Sequence, residues 1–223
     1  MLYLPKSQPA PDCLAHEKTK ADGDYKCGDV LNRLASDFKN KCYLCEDKTA
    51  TSINVEHFIA HKGDKNLKFD WANLFYACGH CNNIKLAKYN SLLNCTTDAD
   101  IEAKIRYDIK SFPKELLQIF AIDNAANTYQ TVSLLLAIFN GTTPLKKLES
   151  ANLRDKLIKE VHNFQSILIQ YFDYTDAELT EEANALLPQI KLHIGKTANF
   201  ASFKRWIIRN NDALLAEFGQ YLD

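Results

Sequence analysis

Two CxxC steps, Cys42-Tyr-Leu-Cys45 and Cys78-Gly-His-Cys81, constrain this 223-residue chain more than any other feature. A two-residue gap lets a tight knuckle turn point both thiolates of a step at one ion, and two steps complete a tetrahedral four-sulfur set. The expected occupant is a zinc ion on Cys42, Cys45, Cys78 and Cys81. Its duty is structural, because four thiolates leave no coordination position for a reacting water. A redox CxxC pair and a chance cluster of thiols are the competing readings, and His80, inside the second knuckle, is the alternative fourth ligand. Residues 46–77 lie between the steps. That gap exceeds the usual zinc-ribbon spacing, so something must fold inside the loop.

The chain has seven cysteines, an odd number, so complete disulfide pairing is impossible. Cys13, Cys27 and Cys95 stand alone and are expected to be plain thiols packed as small hydrophobes. The opening Met1-Leu2-Tyr3-Leu4-Pro5-Lys6 lacks the basic and apolar regions of a signal peptide. No apolar run approaches the roughly 18 residues of a membrane span. The expectation is a cytoplasmic protein with no membrane partner, where clustered cysteines serve metals.

Inside the loop the chain reads Asn54-Val55-Glu56-His57-Phe58-Ile59-Ala60-His61, then Asp70-Trp71-Ala72-Asn73-Leu74-Phe75, then Cys81-Asn82-Asn83-Ile84-Lys85. Ile53 and Val55 predict a strand with Glu56 and His57 at its end, and Cys78 to Leu86 predicts a short helix. Zinc would pin the two together, with a carboxylate and an imidazole on one wall and an amide on the other. Phosphodiester hydrolysis needs a base for water, a divalent cation to stabilise charge on the phosphate, and ligands for that cation. Histidine titrates near neutrality and suits the base. Carboxylate and amide oxygens suit Mg²⁺. His57, Glu56 and Asn82 supply those parts.

The pattern Glu-His, Asn-Leu, Cys-x-x-Cys-Asn-x-x-Lys over residues about 42–86 resembles the zinc-bearing HNH (ββα-metal) endonucleases. That resemblance implies an α+β, mostly α fold: a zinc-stabilised ββα-metal core followed by a helical C-terminal region. It also implies His57 as general base, Glu56 and Asn82 as ligands of a catalytic Mg²⁺ or Mn²⁺, and Asn73 as the organiser of the loop. The family often carries Asp where Glu56 stands, which lengthens the carboxylate arm but keeps its chemistry. Lys85, about one helical turn past Asn82, is either a phosphate contact or a solvated lysine. His61 reads as an exposed loop histidine or a group supporting the site, and Asp70 and Trp71 as residues that fix the turn before Asn73.

The wider spelling, Val-Glu-His-Phe-Ile and Phe-Asp-Trp-Ala-Asn-Leu-Phe-Tyr-Ala-Cys with Leu148 to Arg154 in the tail, is similar to the PtuB family of HNH subunits. These belong to the Septu anti-phage system and its retron-linked relatives. The similarity implies a DNA substrate and control by an ABC-type ATPase (PtuA-like). In the retron setting it implies a reverse transcriptase with its RNA–DNA product as a further partner.

Charge agrees with a nuclease that needs a partner for grip. The net charge is −1, which argues against bulk electrostatic binding of nucleic acid. Two regions are expected: residues 1–95, an N-terminal arm and helix with the HNH core, and residues 96–223, helical and partner-binding. Leu153, Leu157, Val161, Phe164, Leu168 and Tyr171 recur at three and four residues and predict one long amphipathic helix. Asn140-Gly141 predicts a helix stop before it. His16 is expected in solvent, and His162 and His193 in structural positions.

Overall fold

The computed structural model of the chain describes residues 1–109 and 116–222. Short helices α1 (Asp12–Thr19) and α2 (Val30–Asp37) precede strand β1 (Ile53–His57). Helix α3 (Lys65–Lys68) leads to strand β2 (Leu74–Cys78), helix α4 (Gly79–Lys85) and helix α5 (Ile101–Lys104). Strands β3 (Ile105–Asp108) and β4 (Gln118–Ala121) form a second two-stranded sheet. Helices α6 (Ala126–Asn140), α7 (Pro144–Asp176), α8 (Thr180–Ile194), α9 (Ala201–Arg209) and α10 (Asp212–Phe218) follow. The fold is α+β and mostly helical. The strands β3 and β4 lie in the region the sequence reads as mostly helical; at four residues each they carry too little periodicity to read.

The chain divides into two compact units: Met1–Ile105 with Phe120–Ile138, and Arg106–Ile119 with Phe139–Asp223. The expected division near residue 95 differs from this one, since the first unit also takes in much of α6.

In the first unit β1 and β2 pair antiparallel, from Ile53 opposite Cys78 to His57 opposite Leu74. All five residues of β2 are buried, as its uninterrupted Leu-Phe-Tyr-Ala-Cys spelling requires. Phe75 lies between Phe38, Tyr43 and Phe58, with ring centroids 5.4, 4.9 and 4.9 Å away, in the tilted and stacked contacts aromatic quadrupoles favour. Helix α2 buries Val30 and Leu34, one turn apart, against this cluster. The N-terminal arm docks rather than floats. Leu4 N–H donates to the Cys95 carbonyl at 2.7 Å, Trp71 Nε1–H donates to the Ser7 carbonyl at 2.9 Å, and Lys6 Nζ donates to the carbonyls of Leu74 and Trp71.

Cys13 and Cys27 are joined in a disulfide, which corrects their reading as plain thiols. Helix α1 and the turn before α2 bring their Cα atoms to 6.0 Å, within bridging range. Cys95 stays a buried thiol.

In the second unit α7 runs through 33 residues. Gly141 (φ +74°) turns the chain into it, and a Cβ there would meet Lys147 N at 2.5 Å. The Thr143 hydroxyl caps α7, accepting from Lys146 N at 3.2 Å, with Pro144 in the first turn. The expected stripe is buried from Leu153 to Tyr171. Its C-terminal half builds a core with Ile190, Ile194, Ile208 and Phe218. Burying each such side chain stabilises by about 1.5–3 kcal/mol. Arg205, 1% exposed, donates to the carbonyls of Ile194 and Leu222. His193 stacks near Phe164 and lies 3.2 Å from Lys204 Nζ, a structural position. His162 is exposed instead, on the outer face of α7, and His16 is exposed as expected. Among the described residues, no helix is long and apolar enough to cross a membrane.

Candidate functional site

The four CxxC sulfurs meet at one buried point. Cys42, Cys45, Cys78 and Cys81 place their Sγ atoms within 4.8 Å of one another, and Cys45 Sγ lies 3.8 Å from Cys78 Sγ. A tetrahedral ion with metal–sulfur bonds of about 2.3 Å needs sulfur–sulfur edges of about 3.8 Å, so the donor set fits zinc. Local bonds shape each knuckle. Glu46 N donates to the Cys42 carbonyl at 2.9 Å, and Tyr43 N donates to the Tyr76 carbonyl of β2 at 3.0 Å. Cys78 Sγ caps α4 by accepting from Cys81 N at 3.5 Å. Gly79 permits the second knuckle to pass Ser52 closely, since a Cβ would meet Ser52 Oγ at 2.8 Å. His80 is not part of the cluster; its Nε2 lies 2.9 Å from the Ile138 carbonyl. Burial pushes the Cys45 and Cys81 thiols up, while hydrogen bonds from Cys42, Cys45 and Cys81 pull Cys78 down. One thiolate can be solvated by its neighbours. Four require a cation, and loading it releases protons.

His57 ends β1 with its ring half-buried and held on three sides. Its Nε2 lies 3.0 Å from the Lys68 carbonyl. The Tyr25 ring meets it edge-on at 4.5 Å and the His61 ring lies at 4.6 Å. A carbonyl only accepts, so Nε2 carries the proton and Nδ1 keeps its lone pair. Burial lowers the His57 pKa, more than the Lys68 carbonyl raises it, which keeps the ring neutral at pH 7. A shallow cavity of about 260 Å³ opens here, lined by His57, Ala60, His61, Lys62, Asn82 and Leu86.

Asn73 is 5% exposed and ties the loop shut. Its Oδ1 accepts from Ile59 N at 2.7 Å, and its Nδ2 donates to the carbonyls of Ile59 and Leu67 at 2.9 and 3.0 Å. Asp70 caps the turn that delivers it, accepting from Ala72 N at 3.0 Å.

Glu56 and Asn82 are placed differently from each other. Asn82 reaches the cavity. Glu56 is buried and is not among the residues that line it, and its Oε1 lies 2.5 Å from Lys85 Nζ. Lys85 is fully buried and also donates to the His57 carbonyl at 3.0 Å. Both readings of Lys85 are thereby corrected: it is neither solvated nor in the cavity. It neutralises Glu56 and holds the end of β1. Glu56 Oε2 and the Tyr43 hydroxyl are both buried and interact with each other. Burial raises the Glu56 pKa to about 6, against the pull of Lys85. Burial and then the Glu56 charge raise Tyr43. Glu56 is paired with Lys85 and does not line the cavity that Asn82 reaches, so the structure does not bring the two expected ligands of a catalytic cation together.

Sequence spacing singled out Glu56, His57, Asn73 and the cysteines. It missed the Lys85 pairing and the Tyr25 contact. A lysine one turn past Asn82 was visible, but no local pattern shows that it turns inward. Comparison of this chain with family models, curated proteins and solved structures finds no match.

Proposed function

We propose that this chain is a metal-dependent HNH endonuclease acting on DNA. The observation that carries the reading is the His57 imidazole, neutral and fixed by the Lys68 carbonyl with its basic nitrogen free, at a cavity it shares with Asn82. A base must lie near the water it activates and be unprotonated at the working pH, and burial, by lowering the pKa, favours the neutral form of this ring. Water attacks phosphorus as its proton passes to His57 Nδ1, the bond to the leaving nucleoside oxygen breaks, and that oxygen takes a proton from solvent. Lys85 holds the Glu56 carboxylate and the end of β1. The Asn73 bonds hold Ile59, next to Ala60 of the cavity wall, and Leu67, next to Lys68, whose carbonyl meets His57. Mg²⁺ or Mn²⁺, which the HNH resemblance assigns to Glu56 and Asn82, would supply charge neutralisation at the phosphate. Zinc on the four cysteines would supply shape alone.

The near-neutral charge supports weak DNA binding by the chain alone. With the PtuB-like spelling, it favours an effector of two-component anti-phage defence gated by an ABC-type ATPase, with the helical second unit as the docking region. The test is purified chain with supercoiled plasmid and Mg²⁺ or Mn²⁺, alone and with an ABC-type ATPase encoded beside it. Metal-dependent nicking or linearisation, abolished by a chelator, is the expected result. No cleavage in either arrangement would leave the other reading, a catalytically silent zinc module that binds DNA or protein.

A further inference from the structure

We infer that His61 is a second catalytic residue, donating a hydrogen bond from Nε2 to a non-bridging oxygen of the scissile phosphate. The inference rests on the nuclease reading above and names what holds the substrate at that site.

Four backbone ties bring His61 to His57. Phe58 N donates to the Asn73 carbonyl at 2.9 Å and Ile59 N to Asn73 Oδ1 at 2.7 Å. Ala60 N donates to Asn90 Oδ1 at 3.2 Å, and Asp64 N returns to the His61 carbonyl at 2.7 Å. The turn between these last two uses positive φ at Lys62 (46°) and Gly63 (91°). It bends the Gly63 N–H back onto His61 Nδ1 at 3.1 Å.

That last bond assigns the tautomer. A backbone N–H only donates, so Nδ1 is the acceptor and the proton of the neutral ring sits on Nε2. The two neighbouring imidazoles therefore carry opposite assignments. His57 is protonated on Nε2 and basic on Nδ1; His61 accepts on Nδ1 and donates from Nε2. One is arranged to take a proton and the other to give a hydrogen bond.

The cavity they share suits an anion. Its lining offers two imidazoles, the Lys62 ammonium and the Asn82 amide, with no carboxylate among the six residues, because Glu56 is turned back onto Lys85. Its volume of about 260 Å³ admits a phosphoryl group and several waters, each of which occupies about 30 Å³ in the liquid. A fixed neutral donor aimed at charge developing on phosphate contributes more in the transition state than in the bound substrate. Cleavage then proceeds as water oxygen bonds to phosphorus, its proton moves to His57 Nδ1, and the bond to the leaving oxygen breaks. The His61 N–H stays on its nitrogen throughout.

Two measurements test this. In single-turnover cleavage, His61→Ala is expected to be about 100-fold slower than wild type, the typical effect of one lost donor. Duplex binding, measured in a His57→Ala background, should be little changed. His61→Gln, which keeps an N–H, is expected to recover part of the rate. An unchanged rate in His61→Ala overturns the assignment. So does a His61→Gln variant as slow as His61→Ala at an unchanged melting temperature. Independently, inorganic phosphate added to the wild-type protein should shift the His61 ring nitrogen resonances; no shift overturns the phosphate site whatever the cleavage result. If wild type shifts with phosphate but never cleaves, the nuclease reading and the catalytic role of His61 fall together, and the anion site stands.

Discussion

In the first unit, β2 packs into the aromatic cluster around Phe75, and β1, β2 and α4 are held besides by sulfur and by polar ties that each involve one specific atom. Four thiols converge, Lys85 clamps Glu56, and Asn73 makes three bonds to its own loop. In the second unit, α7 to α10 are held mainly by a continuous apolar core around Phe164, Ile190 and Phe218. The first kind of construction fixes directions, since each tie has a donor, an acceptor and an angle. It also costs desolvation of charge, visible in the raised Glu56 and the lowered His57. The second kind spreads its stabilisation over many weak contacts and tolerates adjustment. Chemistry that must hold an imidazole in one tautomer belongs in the first.

The comparison breaks if the two units respond alike to loss of their own ties. Cys45→Ser should be the largest effect. Zinc binding in such a site is worth on the order of 10 kcal/mol of folding free energy, so the variant should lose bound zinc and the order of β1, β2 and α4. The helices of the second unit should survive, as read by hydrogen exchange. Full zinc content and an unchanged melt would refute the tie. Next, Phe164→Ala should destabilise the second unit by about 3–5 kcal/mol in urea titrations while zinc content stays at the wild-type level. Then Cys13→Ser should lower stability by about 3 kcal/mol, the chain-entropy value for a loop of about 15 residues. A reducing agent should reproduce this in wild type, and equal melts with and without reductant would count against the disulfide.

A pH dependence of similar size to the Cys13→Ser effect concerns the arm. Burial lowers the Lys6 pKa from 10.5 to about 7, with its Nζ 3.6 Å from the Trp71 ring centroid. Between pH 7 and 10.5 the unfolded chain then binds more protons at this position than the folded one, so stability should rise with pH across that window. Below pH 7 both states are protonated and the dependence vanishes. Lys6→Met should flatten the rise in urea midpoints measured at pH 7 and pH 9.5.

The parts legible in the sequence are those with a local signature. The CxxC spacing announced the cysteine cluster, Asn140-Gly141 announced the break before α7, and the stripe from Leu153 to Tyr171 announced its buried face. What escaped depends on contacts between distant segments. Lys85 reads as a surface lysine until β1 is laid beside α4. Tyr25 reads as a loop residue until the chain from α1 to α2 passes His57. Cys13 and Cys27 lack metal-ligand spacing and pair only because α1 and the turn before α2 meet. His61 was visible as one more histidine in the loop; its tautomer depends on the Lys62-Gly63 turn, and positive φ at a lysine has no spelling.

The central claim is that the four cysteines hold the shape and His57 does the chemistry. The most direct measurement compares plasmid cleavage by wild type and His57→Ala at matched zinc content and matched melting temperature. Cleavage by His57→Ala should be slower by about 10²–10⁴-fold, the usual worth of a general base, with zinc and stability unchanged. Equal cleavage rates in the two proteins would contradict the claim.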